Sequence, residues 1–156
     1  MRTVIVGVGN ALMQDDGVGV RVVQALMELG LPEGAEAIDA GTSTEPAYDL
    51  VSADRVLVVD AARLGGPAGT IYRLTVEEAT EVGGGVRSCH DIGLVQTLRA
   101  ITSEPCVEVL GIEPKEIGWG LNLSAEVEAS IPRVVRFIRQ ELHQELQREP
   151  KESQCS

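Results

Sequence analysis

The chain has 156 residues, 44% of them hydrophobic and only 3% aromatic, enough for one domain whose core is built from Val, Leu, Ile and Ala. A formal net charge of −11 argues against nucleic acid and anionic membrane surfaces as partners, because both demand clustered Lys and Arg. No apolar run approaches the roughly 20 residues needed to span a bilayer.

The first residues, Met1-Arg2-Thr3-Val4-Ile5-Val6-Gly7, read directly into a strand and not into a signal peptide. Cys89, Cys106 and Cys155 are odd in number and show no C-x-x-C pairing. Both features lead us to expect a protein of the reducing cytoplasm, without a structural zinc knot.

Residues 3–8 form a short apolar run closed by Gly9, the pattern of a buried parallel strand. Residues 17–29 place Val18, Val22, Ala25, Leu26 and Leu29 at helical spacing. Asp15 and Asp16 precede them, where free amides and the helix dipole favour carboxylates. Residues 35–40 read as a second strand, 45–52 as a short helix, and 55–60 (Arg-Val-Leu-Val-Val-Asp) as the central strand. A fourth strand covers 70–74. Only about nine residues separate it from the third, fewer than the dozen or so that a parallel crossover takes, so it is expected to run antiparallel.

Residues 81–88, with Gly83-Gly84-Gly85, read as a flexible loop, and 91–102 as a helix. A fifth strand follows at 106–112, then a loop at 113–123 punctuated by Pro114, Gly118 and Gly120. The longest helix spans 124–148, with Pro132 as a point where it could kink or split. The expected organisation is a single domain over 1–148, a mixed five-stranded α/β sheet with helices on both faces, and a polar, disordered tail at 149–156.

Ligands of open α/β sheets gather at the carboxyl ends of the strands. Asp16 follows the first strand, Asp60 ends the third, and His90 precedes the helix leading into the fifth. Two carboxylates and an imidazole suit a three-ligand metal site with open positions. Each has a plainer reading: Asp16 as a helix cap, Asp60 as a turn residue, His90 as an ordinary loop residue. Their joint placement at one sheet edge carries the weight. His143 lies among Glu141, Gln144 and Glu145 and reads as part of a solvated helix face.

Two other chemistries fit poorly. The third glycine of a dinucleotide fingerprint starting at Gly7 would fall at Leu12, and Asp15-Asp16 would repel a pyrophosphate. Cys89 and His90 are adjacent, a spacing that seldom brings sulfur and ring nitrogen within hydrogen-bond reach.

The series Gly7-Val8-Gly9-Asn10-Ala11-Leu12, Asp15-Asp16-Gly17-Val18-Gly19-Val20-Arg21, Asp39-Ala40-Gly41-Thr42, Val58-Val59-Asp60-Ala61, Ser88-Cys89-His90-Asp91-Ile92-Gly93-Leu94 and Gly111-Ile112-Glu113-Pro114 resembles the nickel–iron hydrogenase maturation endopeptidases. The likeness covers residues from about 2 to about 140. It implies a three-layer α/β/α sandwich with one antiparallel strand. It also implies an endopeptidase, hydrolytic and metal-dependent, that removes the C-terminal extension of a nickel-loaded hydrogenase large-subunit precursor. Asp16, Asp60 and His90 would be the catalytic and metal-binding residues, with Asp15 the neighbouring alternative to Asp16. Asp39, Gly41 and Thr42 would contact substrate, although Ala40 stands where the family often has Gly. The resemblance implies nickel supplied by the precursor, with zinc or cadmium as ions for the site in vitro, and a monomer.

The reading from another class is a receiver-like phosphoacceptor domain, with Asp60 as acceptor and Lys115 as its lysine. Against it, the acidic pair stands several residues beyond the first strand, and His90 and the Gly-Val-Gly-Asn loop have no role.

Overall fold

The computed structural model describes residues 1–80, 91–103 and 105–148. The loop expected at 81–88, Cys89, His90 and the tail at 149–156 lie outside the described residues. Five strands form one sheet: β1 (Thr3–Val8), β2 (Ala35–Gly41), β3 (Arg55–Ala61), β4 (Ile71–Thr75) and β5 (Cys106–Ile112). Their order is β2-β1-β3-β5-β4. β1, β2, β3 and β5 are parallel, and β4 runs antiparallel to β5, as the short connection after β3 requires.

Burial explains the composition of each strand. β1 is buried along its whole length and β3 from Val56 onward, so both carry apolar residues in succession without alternation. The edge strands β2 and β4 are mostly half-buried or exposed and accommodate Glu36, Asp39 and Arg73. Helices cover both faces. On one face α1 (Val18–Leu29) and α4 (Ala125–Gln147) place Val22, Val23, Leu26, Val127, Val134 and Ile138 over Ile5, Leu57, Val59 and Leu110. On the other, Leu94, Val95 and Leu98 of α3 (Asp91–Ile101) join Ala47 and Leu50 over Val4, Val6, Val56 and Val58. The result is the expected three-layer α/β/α arrangement.

Several local expectations change. The helix at 45–52 is a single 3-10 turn, Glu45–Tyr48, with Pro46 in its first turn. The fourth strand lies one residue later than expected and runs into a short helix, α2 (Val76–Thr80). α2 begins with a reciprocal cap: the Glu78 N–H donates to Thr75 Oγ1 at 3.1 Å, and the Thr75 N–H to Glu78 Oε2 at 3.4 Å. α4 is not split at Pro132. It continues for 23 residues because buried side chains on both sides of the proline, Val127 and Val134 among them, hold it to the sheet.

One close approach positions the site. A Cβ on Gly19 would lie 2.0 Å from the Val59 carbonyl oxygen and 2.7 Å from that of Val8, so the first turn of α1 rests directly on β1 and β3. At the opposite end of the sheet, Arg55 opens β3 and pairs with Glu141 at 2.7 Å and also with Glu145. Burial works against the guanidinium charge, but these carboxylates and Glu108 more than offset it and hold its pKa above the ordinary value. No helix among the described residues is long and apolar enough to cross a membrane.

Candidate active site at the carboxyl edge of the sheet

The loop after β1 turns at Gly9, whose φ of +128° is accessible at little cost only to glycine. The Gly9 N–H donates to the Gly41 carbonyl at 2.9 Å, tying this loop to the end of β2. The Asn10 side chain accepts from the Leu12 N–H at 2.9 Å, and a 3-10 turn at Gln14–Gly17 leads into α1.

Asp16 and Asp60 lie on either side of Gly9. A Cβ there would sit 2.0 Å from the Asp16 carbonyl oxygen and 3.4 Å from Asp60 Oδ1. Asp16 is 2% exposed and its Oδ2 accepts from the Asn10 N–H at 2.9 Å. Asp60 is 1% exposed and its Oδ1 accepts from the Ala61 N–H at 2.7 Å. The Asp16 backbone and the Asp60 carboxylate thus both adjoin Gly9, while the buried Asp16 carboxylate holds the N–H of the next residue, Asn10. His90 lies outside the described residues. Among those described, no three His, Cys, Asp or Glu side chains form a group able to hold a metal.

The helix-cap expectation for the acidic pair is overturned. Gly17 is the N-cap of α1, and no side chain caps it. The Asp15 carboxylate is fully buried and accepts four hydrogen bonds: from the backbone N–H groups of Lys115, Glu116 and Ser124, and from the Ser124 hydroxyl, all at 2.7–2.9 Å. It anchors the loop after β5 and the start of α4. That separates the two neighbours: Asp15 is committed to structure, and Asp16 is the one beside Gly9.

Asp39 stands at the exposed end of β2, where its Oδ1 accepts from the Gly41 N–H at 3.0 Å and shapes the turn. Gly41 has φ +54°, and Thr42 is exposed just beyond it. The same loop touches α3, since a Cβ on Gly93 would meet Thr44 Cγ2 at 3.2 Å. The structure therefore joins the Asp39–Thr42 loop to Gly9. Lys115 points elsewhere: its ammonium pairs with Glu126 at 2.9 Å.

A further buried acid escaped the residue-by-residue reading. Glu113 is 4% exposed and accepts from the N–H groups of Leu64 and Gly66 at 2.9 and 2.8 Å, and from the Tyr72 hydroxyl at 3.3 Å. It fixes the β3–β4 connection. Partial burial, together with the Glu113 charge, raises the Tyr72 pKa. The available signal was a Glu-Pro pair ending a buried strand at the edge where ligands collect.

Comparison with known proteins identifies the family and the fold. A family model described as hydrogenase maturation protease matches residues 20–141. The chain is 33% identical over 139 residues to the hydrogenase 2 maturation protease of Escherichia coli, covering 84% of each chain. It is also 33% identical over 147 residues to a putative hydrogenase maturation protease of Methanocaldococcus jannaschii, covering 88% of this chain and 94% of that one. Among solved structures, the hydrogenase-maturating endopeptidase HybD from E. coli superposes with a TM-score of 0.79 at 30% identity, over 93% of this chain and 94% of that one.

Proposed function

The chain belongs to the hydrogenase maturation protease family, and from that premise we propose that it removes the C-terminal extension of a nickel–iron hydrogenase large-subunit precursor after nickel insertion. Nickel is part of the substrate. Asp16, Asp60 and His90 bind it, and in doing so bring the scissile peptide bond to the carboxyl edge of the sheet. The observation that carries this reading is that two buried acids, Asp16 from the β1 loop and Asp60 from the end of β3, both adjoin the Gly9–Asn10 turn.

The chemistry follows from the donor set. Two carboxylates with one neutral imidazole suit a borderline divalent ion and leave coordination positions for the precursor's own ligands. Zinc or cadmium satisfies the same donors in vitro. The hydrolysis is metal-dependent. Water adds to the scissile carbonyl carbon, the C–N bond breaks, and a proton passes to the departing amine. Held by Asp16, Asp60 and His90, a bound cation would supply polarisation of the carbonyl and a water of lowered pKa. Asp39, Gly41 and Thr42 align the precursor chain along the edge of β2. The enzyme acts as a cytoplasmic monomer.

A receiver domain fits less well. Flavodoxin-like receiver sheets are parallel with order 2-1-3-4-5, whereas this sheet runs β2-β1-β3-β5-β4 with β4 reversed. Its would-be lysine pairs with Glu126.

The test is cleavage of nickel-loaded precursor by the wild type and by Asp16→Ala, Asp60→Ala and His90→Ala, with calorimetric nickel titration of each. Loss of cleavage in all three supports the trio. Wild-type rates from His90→Ala would overturn it.

A further inference from the structure

Beside the candidate site the chain exposes apolar side chains that its own core does not use. Trp119 is 81% exposed, Leu121 68% and Leu12 54%. Trp119 is the only tryptophan in the chain, and large aromatic side chains are seldom left so open to water. The three are held together. Residues 12–14 and 120 form a short parallel ladder: Met13 bridges Gly120, the Gly120 N–H donates to the Leu12 carbonyl, and the Gln14 N–H to the Gly120 carbonyl, both at 2.9 Å. Leu12, Trp119 and Leu121 are the immediate neighbours of this bridged pair and are all exposed, while Met13 is partly buried.

This face is rigidly carried. The buried Asp15 carboxylate pins the backbone of Lys115, Glu116 and Ser124, and the Asp15 N–H donates to the Glu116 carbonyl at 3.1 Å. Apolar side chains presented to water on a pre-ordered loop lower the ordering entropy lost when a partner covers them. Aromatic anchors of this kind dominate binding at polypeptide interfaces. The face is also continuous with the site, since Leu12 and Asp16 belong to one loop closed by the Asn10 hydrogen bonds.

We propose that the Leu12–Trp119–Leu121 face is a docking surface for an apolar stretch of the large-subunit precursor, next to the part that reaches Asp16 and Asp60. This rests on the precursor being the substrate. A protease whose site lies at a sheet edge must seat a polypeptide beside it, and among the described residues this is an apolar surface adjoining the Asp16 loop. The face itself is uncharged on a chain of net charge −11, so recognition there proceeds by burial of apolar area and not by ion pairing.

The single tryptophan makes the test direct. Enzyme carrying 5-fluorotryptophan has one fluorine resonance, from Trp119, and unlabelled nickel-loaded precursor is titrated against it. The resonance is expected to shift or broaden with precursor and to stay in place with nickel ion alone. In cleavage assays Trp119→Ser with Leu121→Ser should raise KM about tenfold or more with kcat nearly retained. Trp119→Phe should restore most of the loss, and Leu146→Ser, exposed near the far end of α4, should have no effect. An unmoved resonance and a wild-type KM for the double variant, in an enzyme that cleaves, would overturn the docking surface and leave the proposed function standing. A shift produced by raising enzyme concentration alone would assign the face to a second copy and overturn the precursor assignment. Wild-type enzyme that moves its resonance with precursor yet never cuts it would instead defeat the hydrolytic reading while supporting the surface.

Discussion

The Asp15 carboxylate receives both the backbone N–H and the hydroxyl of Ser124, at 2.7 and 2.9 Å, joining the turn before α1 to the N-cap of α4 across 109 residues of sequence. Ser124 does not cap its own helix with its side chain; its hydroxyl serves Asp15. Asp15→Asn keeps the shape but sets an NH2 group against backbone N–H donors, leaving at least one of them without its acceptor. It should lower unfolding free energy by about 2–4 kcal/mol, read from the midpoint of urea denaturation. A change within about 0.5 kcal/mol would show that the carboxylate is not an anchor.

The two neighbouring acids should therefore fail differently. Asp16→Ala removes one acceptor of a backbone N–H, a loss of about 1 kcal/mol, and should abolish both nickel binding and precursor processing. Asp15→Asn should retain nickel binding at temperatures where it remains folded. Calorimetry on the two variants below their unfolding midpoints separates the roles, and equal loss of nickel affinity would merge them.

What made Asp15 illegible is the distance over which its role is decided. Two consecutive carboxylates before a helix look alike in sequence, and the choice between them depends on Lys115, Glu116 and Ser124, far along the chain. Local signals fared better. Thr3–Val8 was legible because a buried parallel strand needs successive apolar residues, Cys106–Ile112 because its apolar residues are broken only by Glu108, and the reversal of β4 followed from a connection too short for a crossover. The Thr75–Glu78 cap was also written in the sequence, but α2 has only five residues and too little periodicity to be recognised without it. In sequence Trp119 reads only as part of the loop at 113–123, and its exposure to water emerges from the fold.

The Tyr72 phenol provides a pH signature remote from the metal ligands. Burial, then the charge and hydrogen bond of Glu113, raise its pKa in the folded protein. A raised folded value means that its contribution is complete below the unfolded phenol value of about 10 and is lost as pH rises through the folded value. Wild-type stability should thus fall more steeply above about pH 10 than that of Tyr72→Phe, in thermal melts across the alkaline range. Parallel curves would mean that the Glu113 contact does not survive in solution.

Gly9 is the point where backbone conformation and site geometry meet. Alanine there would need φ near +128° and would place its methyl carbon 2.0 Å from the Asp16 carbonyl and 3.4 Å from Asp60 Oδ1. The nearest neighbour is backbone, which cannot swing aside as a side chain could, so the loop itself must shift. The expected loss of stability is about 1–3 kcal/mol from strain and overpacking. Displacing Asp16 relative to Asp60 should remove nickel binding even in the folded fraction. Gly65, at φ +89° with nothing within 4 Å of an added Cβ, is the control: Gly65→Ala carries the conformational strain without the clash and should keep wild-type nickel affinity. Nickel affinity lost equally in both variants would mean that the space around Gly9 does not set the spacing of the two carboxylates.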